Sequence, residues 1–343
     1  MSVDPVAALR EIGYWLERSR ADTHRVKAYR RAADTVEAMS SDEREQHASA
    51  NSWSSVRGLG PKTITIIRQA LAGGVPDYLA EKRAAGATPL AAGGAALRGK
   101  IQGDLHCHST WSDGGSPLEE MMVTARTLGH SWCAITDHSP RLRVANGLSA
   151  ERLREQREVI ADLNEAMGEE FRCLSGIEVD ILDDGALDQE RGLLDELDVV
   201  VASVHSNLRA DSETMTLRMV TAIANPRTNV LGHCTGRLVE GERGTRPESV
   251  FDAEVVFEAC RQFDVAVEIN SRPERRDPPG RLIALALEAG CLFSIDTDAH
   301  APGQLDFQWY GCERAEQAGI PAERIVNTWP VDRLLEWTRA KKA

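Results

Sequence analysis

From residue 101 onward the sequence repeats one alternation seven times, a short apolar run followed by a longer segment of mixed character. The runs cover 101–105, 132–135, 171–177, 199–204, 229–231, 265–269 and 292–295. Between them helical patterns run at about 149–167, 213–224, 248–263 and 281–289. An earlier one opens Ser116-Pro117-Leu118-Glu119, which predicts a Ser cap, Pro at the first helical position and Glu three residues after the cap. Strand–helix alternation at this spacing implies parallel strands joined by crossover helices. Seven such units suit closure into a barrel better than an open sheet.

What ends each run is equally constraining. The first leads into Asp104-Leu105-His106-Cys107-His108, and the second into Thr136-Asp137-His138. The third carries Gly176-Ile177-Glu178, the fourth Ser203-Val204-His205 and the fifth Gly232-His233. The seventh leads into Asp296-Thr297-Asp298-Ala299-His300. In parallel β/α architectures the C-terminal strand ends share one mouth, so residues remote in sequence are expected to meet there. Alternation along a strand aims His106 and His108 the same way, and likewise Asp298 and His300. Asp113, in a Trp-Ser-Asp-Gly turn, can swing a carboxylate back over that mouth. Asp180 competes with Glu178, which the Gly176-Ile177 approach favours. Asp104 and Asp296 lie one step deeper and are expected to orient a histidine. His130 precedes its strand and His24 and His47 lie far upstream, so all three read as structural.

Imidazole and carboxylate without thiolate suit Zn²⁺, Mn²⁺ or Fe²⁺. Nine candidate ligands exceed the four that one zinc needs, so two to three divalent cations are implied, with Glu178 bridging. Such centres activate water and clamp phosphoryl oxygens. No G-x-S-x-G elbow, P-loop or full dinucleotide fingerprint competes. The seven cysteines are scattered with no C-x-x-C pair, which fits reduced thiols in a cytoplasmic protein and argues against a disulfide scaffold. No secretory signal pattern and no run of about 20 apolar residues is present, so no membrane partner is expected.

The front of the chain differs. Val6, Leu9, Ile12 and Leu16 recur at helical spacing, a second helix is expected over 26–39, and 84–99 reads as an Ala/Gly-rich linker. The formal charge of −13 is uneven: 1–83 holds 13 Lys and Arg against 11 Asp and Glu, the remainder 27 against 42. An acidic body of that kind repels polyanions unless cations reverse the local field.

The segment from about 101 to 337 resembles the polymerase and histidinol phosphatase (PHP) family, through the six strand-end motifs just quoted. The resemblance implies a distorted seven-stranded β/α barrel with a trinuclear site of manganese, zinc or iron. Its ligands would be His106, His108, Asp113, His138, Glu178, His205, His233, Asp298 and His300. Residues 6–83 resemble the DNA-binding domain of bacterial family X DNA polymerases through Arg25-Val26-Lys27-Ala28-Tyr29-Arg30-Arg31-Ala32-Ala33. Within it Val56-Arg57-Gly58-Leu59-Gly60-Pro61-Lys62 resembles a helix-hairpin-helix. There Gly58, Gly60, Lys62, Arg25, Lys27, Arg30 and Arg31 would contact DNA backbone without reading sequence.

The domains expected are therefore 1–83, a small all-α helix-hairpin-helix unit; 84–99, the linker; and 100–343, the α/β barrel. In those polymerases a nucleotidyltransferase domain with the catalytic aspartates separates the two parts. Here only the linker does, so no polymerase activity is expected. The leading expectation is a phosphoesterase acting on DNA ends, as a 3′–5′ exonuclease or 3′-phosphatase. Arg141, Arg143, Arg237, Arg272, Arg275 and Arg276 follow strand ends and are candidates to hold substrate phosphates. The competing readings are a histidinol-phosphate type monoesterase and a DNA-binding scaffold with a structural metal cluster.

Overall fold

A computed structural model describes residues 3–241 and 244–340. The chain divides into two compact units that meet at Pro89 and Leu90.

The first unit is all helix: α1 (Pro5–Arg18), α2 (Thr23–Glu37), α3 (Ser41–Ser49), α4 (Pro61–Leu71) and α5 (Asp77–Gly86). Asp4 caps α1 by accepting from the Val6 and Ala7 N–H groups, and Asp22 caps α2 through His24 and Arg25. Ser40 and Glu43 form a reciprocal capping box on α3. The apolar stripe of α1, Leu9, Ile12 and Leu16, is buried with Trp53, Ile67 and Leu79. The turn before α4 places Gly58 at φ +97°, a left-handed conformation that side chains resist.

The second unit begins with a short helix, α6 (Ala95–Arg98), then alternates strand and helix. The order is β1 (Gly103–Asp104), α7 (Leu118–Thr127), β2 (Trp132–Ile135), α8 (Ala150–Met167), β3 (Arg172–Asp180), α9 (Arg191–Glu196) and β4 (Val199–Ser203). It continues α10 (Ser212–Ile223), β5 (Val230–Leu231), α11 (Ala253–Gln262), β6 (Ala266–Asn270), α12 (Gly280–Ala289) and β7 (Phe293–Asp296). Two more helices, α13 (Gln308–Gln317) and α14 (Val331–Ala340), follow. All seven strands are parallel and lie in sequence order. A bridge between Cys107 and Ala299, with His108 N–H donating to Ala299 O (2.8 Å), joins the first and last strands beyond their ladders. The result is a nearly closed α/β barrel.

Inside, Trp132, Ala134, Leu174, Val199, Val201, Val230 and Ala266 cluster with Val326, Trp329, Leu334 and Leu335. Trp132 starts β2 and its indole donates to Trp329 O, so the C-terminal segment floors the barrel at the strand N-termini. Outside, Ile177, Val179, Val200, Val267 and Ile269 pack against Met219, Val256, Phe257, Ile283 and Ala286 of the helices.

Three local expectations change. The first strand is two residues, not five, because Gln102 N–H is taken by Asn327 O and Leu105 N–H by the Asp296 carboxylate. The helix expected from 248 starts at Ala253, where Asp252 supplies the cap. Pro117 occupies the cap of α7 without a side-chain bond, and Ser116 donates instead to Glu120. The stretch read as a linker is ordered at both ends. Residues 84–86 finish α5, and the N–H groups of Ala92, Gly93 and Gly94 donate to Glu313 and Glu316. Composition alone does not announce those acceptors 220 residues away.

Candidate metal centre

The strand ends bring nine side chains to one place. Glu178, at the end of β3, is its hub. Its Oε1 lies 3.2 Å from His205 Nε2 and 2.9 Å from His233 Nε2. Its Oε2 lies 3.3 Å from His106, 3.7 Å from His108 and 2.8 Å from His138. Asp298 sits 3.4 Å from His108 and 3.5 Å from His300. Asp113 approaches His138 at 3.5 Å and His300 at 3.4 Å, so its turn does fold back over the mouth. Four overlapping groups have convergent donor atoms: His108, Asp113, His138, His300; His106, His108, Asp298; His106, Glu178, His233; and His138, Glu178, His205. Together they comprise the nine residues singled out by sequence.

The donors fit a set of divalent cations for a physical reason. Nitrogens of His106 (Nε2), His108 (both), His138 (Nδ1), His205 (both) and His233 (Nδ1) are buried with no hydrogen-bond partner, as is Glu178 Oε2. A buried polar atom left unmatched costs about 1–3 kcal/mol, and native interiors contain few of them. Those of the unmatched nitrogens that turn toward Glu178, His106 Nε2, His108 Nε2, His138 Nδ1 and His205 Nε2, form a donor set that suits divalent cations.

Charge states agree in part. Burial alone would raise Glu178, but the charges of His106, His205 and His138 hold it well below the usual carboxylate range. Burial also opposes ionisation of Asp298, and Arg272 and Arg275 outweigh it. Burial takes His108 down to about 3 and His233 down to about 4, leaving neutral imidazoles. His205 is pushed up to about 9 because Glu178 and Asp180 overcome its burial, and His106 is raised for the like reason by Glu178 and Glu268. Protons favoured on these two rings offset the carboxylates, and a cation bound there would displace them.

The surroundings revise several expectations. Asp104 and Asp296 meet backbone N–H groups, a hydroxyl and an amide, and not an imidazole ring. Asp104 accepts from His106 N–H (3.0 Å) and from the Thr297 hydroxyl, and Asp296 from Leu105 N–H (2.9 Å) and Asn327 (2.9 Å). The ring of His106 instead meets Glu268, Nδ1 to Oε1 at 2.6 Å, and Glu268 Oε2 accepts the His233 N–H. Sequence reasoning passed over Glu268, although a carboxylate inside an otherwise apolar strand was the visible signal. Asp180 lies against His205 Nδ1 (3.4 Å) and takes its N–H (3.1 Å), which explains why it looked like a rival of Glu178. Asp137, also missed, fixes the turn after His108 by accepting from the Ser109 N–H and hydroxyl, Ser112 and Gln156. His130 lies outside the cluster, against Gln308 (3.0 Å). His47, in the first unit, pairs with Ser52.

Of the six arginines, two reach the cluster. Arg275 Nε donates to Asp298 Oδ2 (3.0 Å), and Arg272 Nη1 to Asp298 O (3.2 Å). Arg237 is committed to the Arg275 and Arg276 carbonyls and to Glu248. Arg276 donates to Pro273 O and is largely exposed. Arg141 and Arg143 are exposed.

In the first unit Gly58 packs against Thr35 and Arg31 of α2, so Arg31 flanks the glycine turn, and Lys62 is exposed in the first turn of α4. Gly60 N–H is taken by the Thr63 hydroxyl. Lys27 is exposed, Arg25 lies over the Tyr78 ring, and Arg30 pairs with the buried Glu17. Arg25 and Arg30 therefore have partners of their own. No helix among the described residues is long and apolar enough to cross a membrane.

Comparison with known proteins agrees with this architecture. Residues 104–272 match the PHP domain and residues 3–76 a helix-hairpin-helix domain. The DNA polymerase/3′-5′ exonuclease PolX of Bacillus subtilis is 40% identical over 229 residues, which cover 67% of this chain but only 39% of that one. A probable phosphatase of Pectobacterium atrosepticum is 29% identical over 239 residues, covering 66% of this chain and 90% of that one. A solved histidinol phosphate phosphatase from Lactococcus lactis aligns at 16% identity and a TM-score of 0.47, over 64% of this chain and 92% of that one. Residues 104–272 are thus similar to the PHP domain, and residues 3–76 in front of them to a helix-hairpin-helix domain.

Proposed function

We propose that the chain is a metal-dependent phosphoric ester hydrolase acting on DNA ends, as a 3′–5′ exonuclease or 3′-phosphatase in DNA repair, without polymerase activity. The observation that carries the reading is the set of buried, unmatched imidazole nitrogens converging on Glu178. His106, His108, Asp113, His138, Glu178, His205, His233, Asp298 and His300 would hold two to three cations, manganese, zinc or iron, with Glu178 shared between them. Divalent cations bound there supply an acidified water and charge neutralisation for a phosphoryl group.

The chain's own residues prepare the site for that chemistry. Asp298, at φ +50°, is held in a conformation uncommon for a side-chain-bearing residue, and Arg275 and Asn270 fix its carboxylate. Arg275 Nη1 is buried without a hydrogen-bond partner, which leaves a guanidinium donor for a substrate oxygen beside the cluster. The helix-hairpin-helix domain supports DNA as the polymer held, with Lys62 and Arg31 beside its glycine turn.

A second reading, a small-molecule monoesterase of the histidinol-phosphate type, is favoured by relatives named probable phosphatases, of which the chain covers 90% and more. Hydrolysis of end-labelled DNA and of a phosphomonoester panel with Mn²⁺ separates the two. Asp298→Ala is expected to abolish turnover of both classes, and equal activity in wild type and variant would sink the enzyme reading. Lys62→Glu with Arg31→Glu is expected to lower DNA turnover more than monoester turnover. Monoester turnover by wild type without DNA turnover supports the second reading.

A further inference from the structure

The segment from His138 to Leu148 leaves the end of β2 and returns to it, Leu148 N–H donating to His138 O (2.7 Å). Its base is rigidly held. Asp188 accepts from the Ser139 hydroxyl (2.9 Å) and from Arg141 N–H (2.6 Å). Arg152 reaches in from α8 to the carbonyls of Asn146 (2.8 Å) and Trp111, and Asn146 Nδ2 also donates to Trp111 O (3.3 Å). Gly147 lies so close to Ser139 that a Cβ there would stand 1.8 Å from Ser139 O. Ala145 and Leu148 are buried. Compact loops of this kind, with ends joined and interior packed, are commonly functional.

The tip is the opposite. Arg141 and Arg143 are exposed, and neither guanidinium makes a hydrogen bond or ion pair within the described residues. Between them and the buried Ala145 stands Val144, 95% exposed, the most exposed large apolar side chain among the described residues. Nothing in the barrel's own stability requires that arrangement. Two uncommitted arginines and an apolar tip on a pre-ordered loop match a chain of phosphates with flat apolar groups between them. Arg141 is three residues from His138 and Val144 six, at most about 11 and 22 Å along the backbone, so the tip lies within a few nucleotides' length of the cluster. The unit around it is strongly acidic, which makes this local positive charge matter for a polyanion.

We propose that this loop grips a DNA strand beside the reacting end, Arg141 and Arg143 on backbone phosphates and Val144 against a base or sugar. It thereby selects a polynucleotide over a small monoester. The inference rests on the DNA-end reading above and adds the element that would carry the preference.

The test compares wild type, Arg141→Ala/Arg143→Ala, Arg141→Lys/Arg143→Lys and Val144→Asp. Each is assayed for kcat/KM on a labelled single-stranded oligonucleotide and on p-nitrophenyl phosphate in Mn²⁺, across 50–200 mM salt. Two phosphate contacts on single-stranded DNA contribute a log–log salt slope of about 1.4. Over that fourfold range the wild type is therefore expected to lose about sevenfold more DNA activity than the alanine pair. The ratio of DNA to monoester kcat/KM should fall in the alanine pair and in Val144→Asp, and the lysine pair should restore the slope. An unchanged slope and ratio in the alanine pair, while wild type cleaves DNA, overturns the loop's role and leaves the DNA-end reading standing. A wild type that hydrolyses the monoester but not the oligonucleotide overturns both.

Discussion

Replacing Glu268 by Gln removes one charge from the buried centre while keeping its shape. Glu268 is fully buried and uses both oxygens: Oε1 on His106 Nδ1 at 2.6 Å, and Oε2 on the His233 N–H and Asn270 Nδ2 (3.2 Å). An amide can accept at only one of those positions. Its NH₂ must then face either the His106 ring N–H or the His233 backbone N–H, and an unmatched buried donor costs about 1–3 kcal/mol. The remaining acceptor is also neutral, and hydrogen bonds to charged groups are roughly twice as strong as neutral ones. Losing the partner that orients a metal-binding imidazole typically weakens cation affinity 10- to 100-fold, or about 1.4–2.8 kcal/mol. Competition against a chelator of known affinity, with Mn²⁺ and Zn²⁺ in turn, reads this directly. The reasoning also requires the loss to fall on a cation held by His106 and His233, so the number of tightly held equivalents should drop by one. Affinity and stoichiometry within twofold of wild type would refute the idea that this carboxylate positions the ring.

Three further outcomes follow from the structure. Burial takes His130 down to about 3, against about 6.5 in an unfolded chain, so its contribution to stability is present above pH 6.5 and lost as pH falls toward 3. His130→Asn should flatten denaturant-measured stability over that window by up to about 5 kcal/mol, and a curve parallel to wild type would refute the assignment. Gly147→Ala forces a Cβ onto Ser139 O and should lower stability by about 1–3 kcal/mol in thermal melts, with weakened cation binding through the displaced His138. Chelation should abolish turnover and lower the melting temperature, and Mn²⁺ at a hundredfold its dissociation constant should restore about 2.7 kcal/mol. A melting temperature indifferent to cations would contradict a centre whose unmatched donors need them.

That the nine side chains of the candidate centre would meet was legible because parallel topology fixes which strand ends share a mouth. His106, His108, Asp298 and His300 follow from that rule, although β1 and β7 end before them and Asp298 stands at φ +50°, so strand alternation does not set where their side chains point. Glu268 did not, because it lies within β6 and not at its end, and a single carboxylate in a strand carries no period. Asp104, expected to orient a histidine, holds His106 by its backbone N–H and not by its ring, and Asp296 holds the neighbouring Leu105 N–H. Whether a carboxylate takes a ring or a backbone N–H depends on the offset between first and last strands, which no local pattern encodes. The arginines show the same limit from the other side. Arg237 follows a strand end as Arg141 does, yet it is consumed by carbonyls 38 and 39 residues away. The ordered stretch before β1 depends likewise on Glu313 and Glu316, far along the chain.

The bridge between Cys107 and Ala299 has a consequence for how the protein is made. The histidines flanking Cys107 leave the ribosome early, whereas Asp298 and His300 flank a residue synthesised nearly 200 positions later. At about 5–20 residues per second that interval lasts roughly 10–40 seconds. During it Glu178, His205 and His233 emerge in turn, so the candidate donor set stays incomplete until the last strand is made. The order of synthesis thus makes Asp298 and His300 the residues that complete the set.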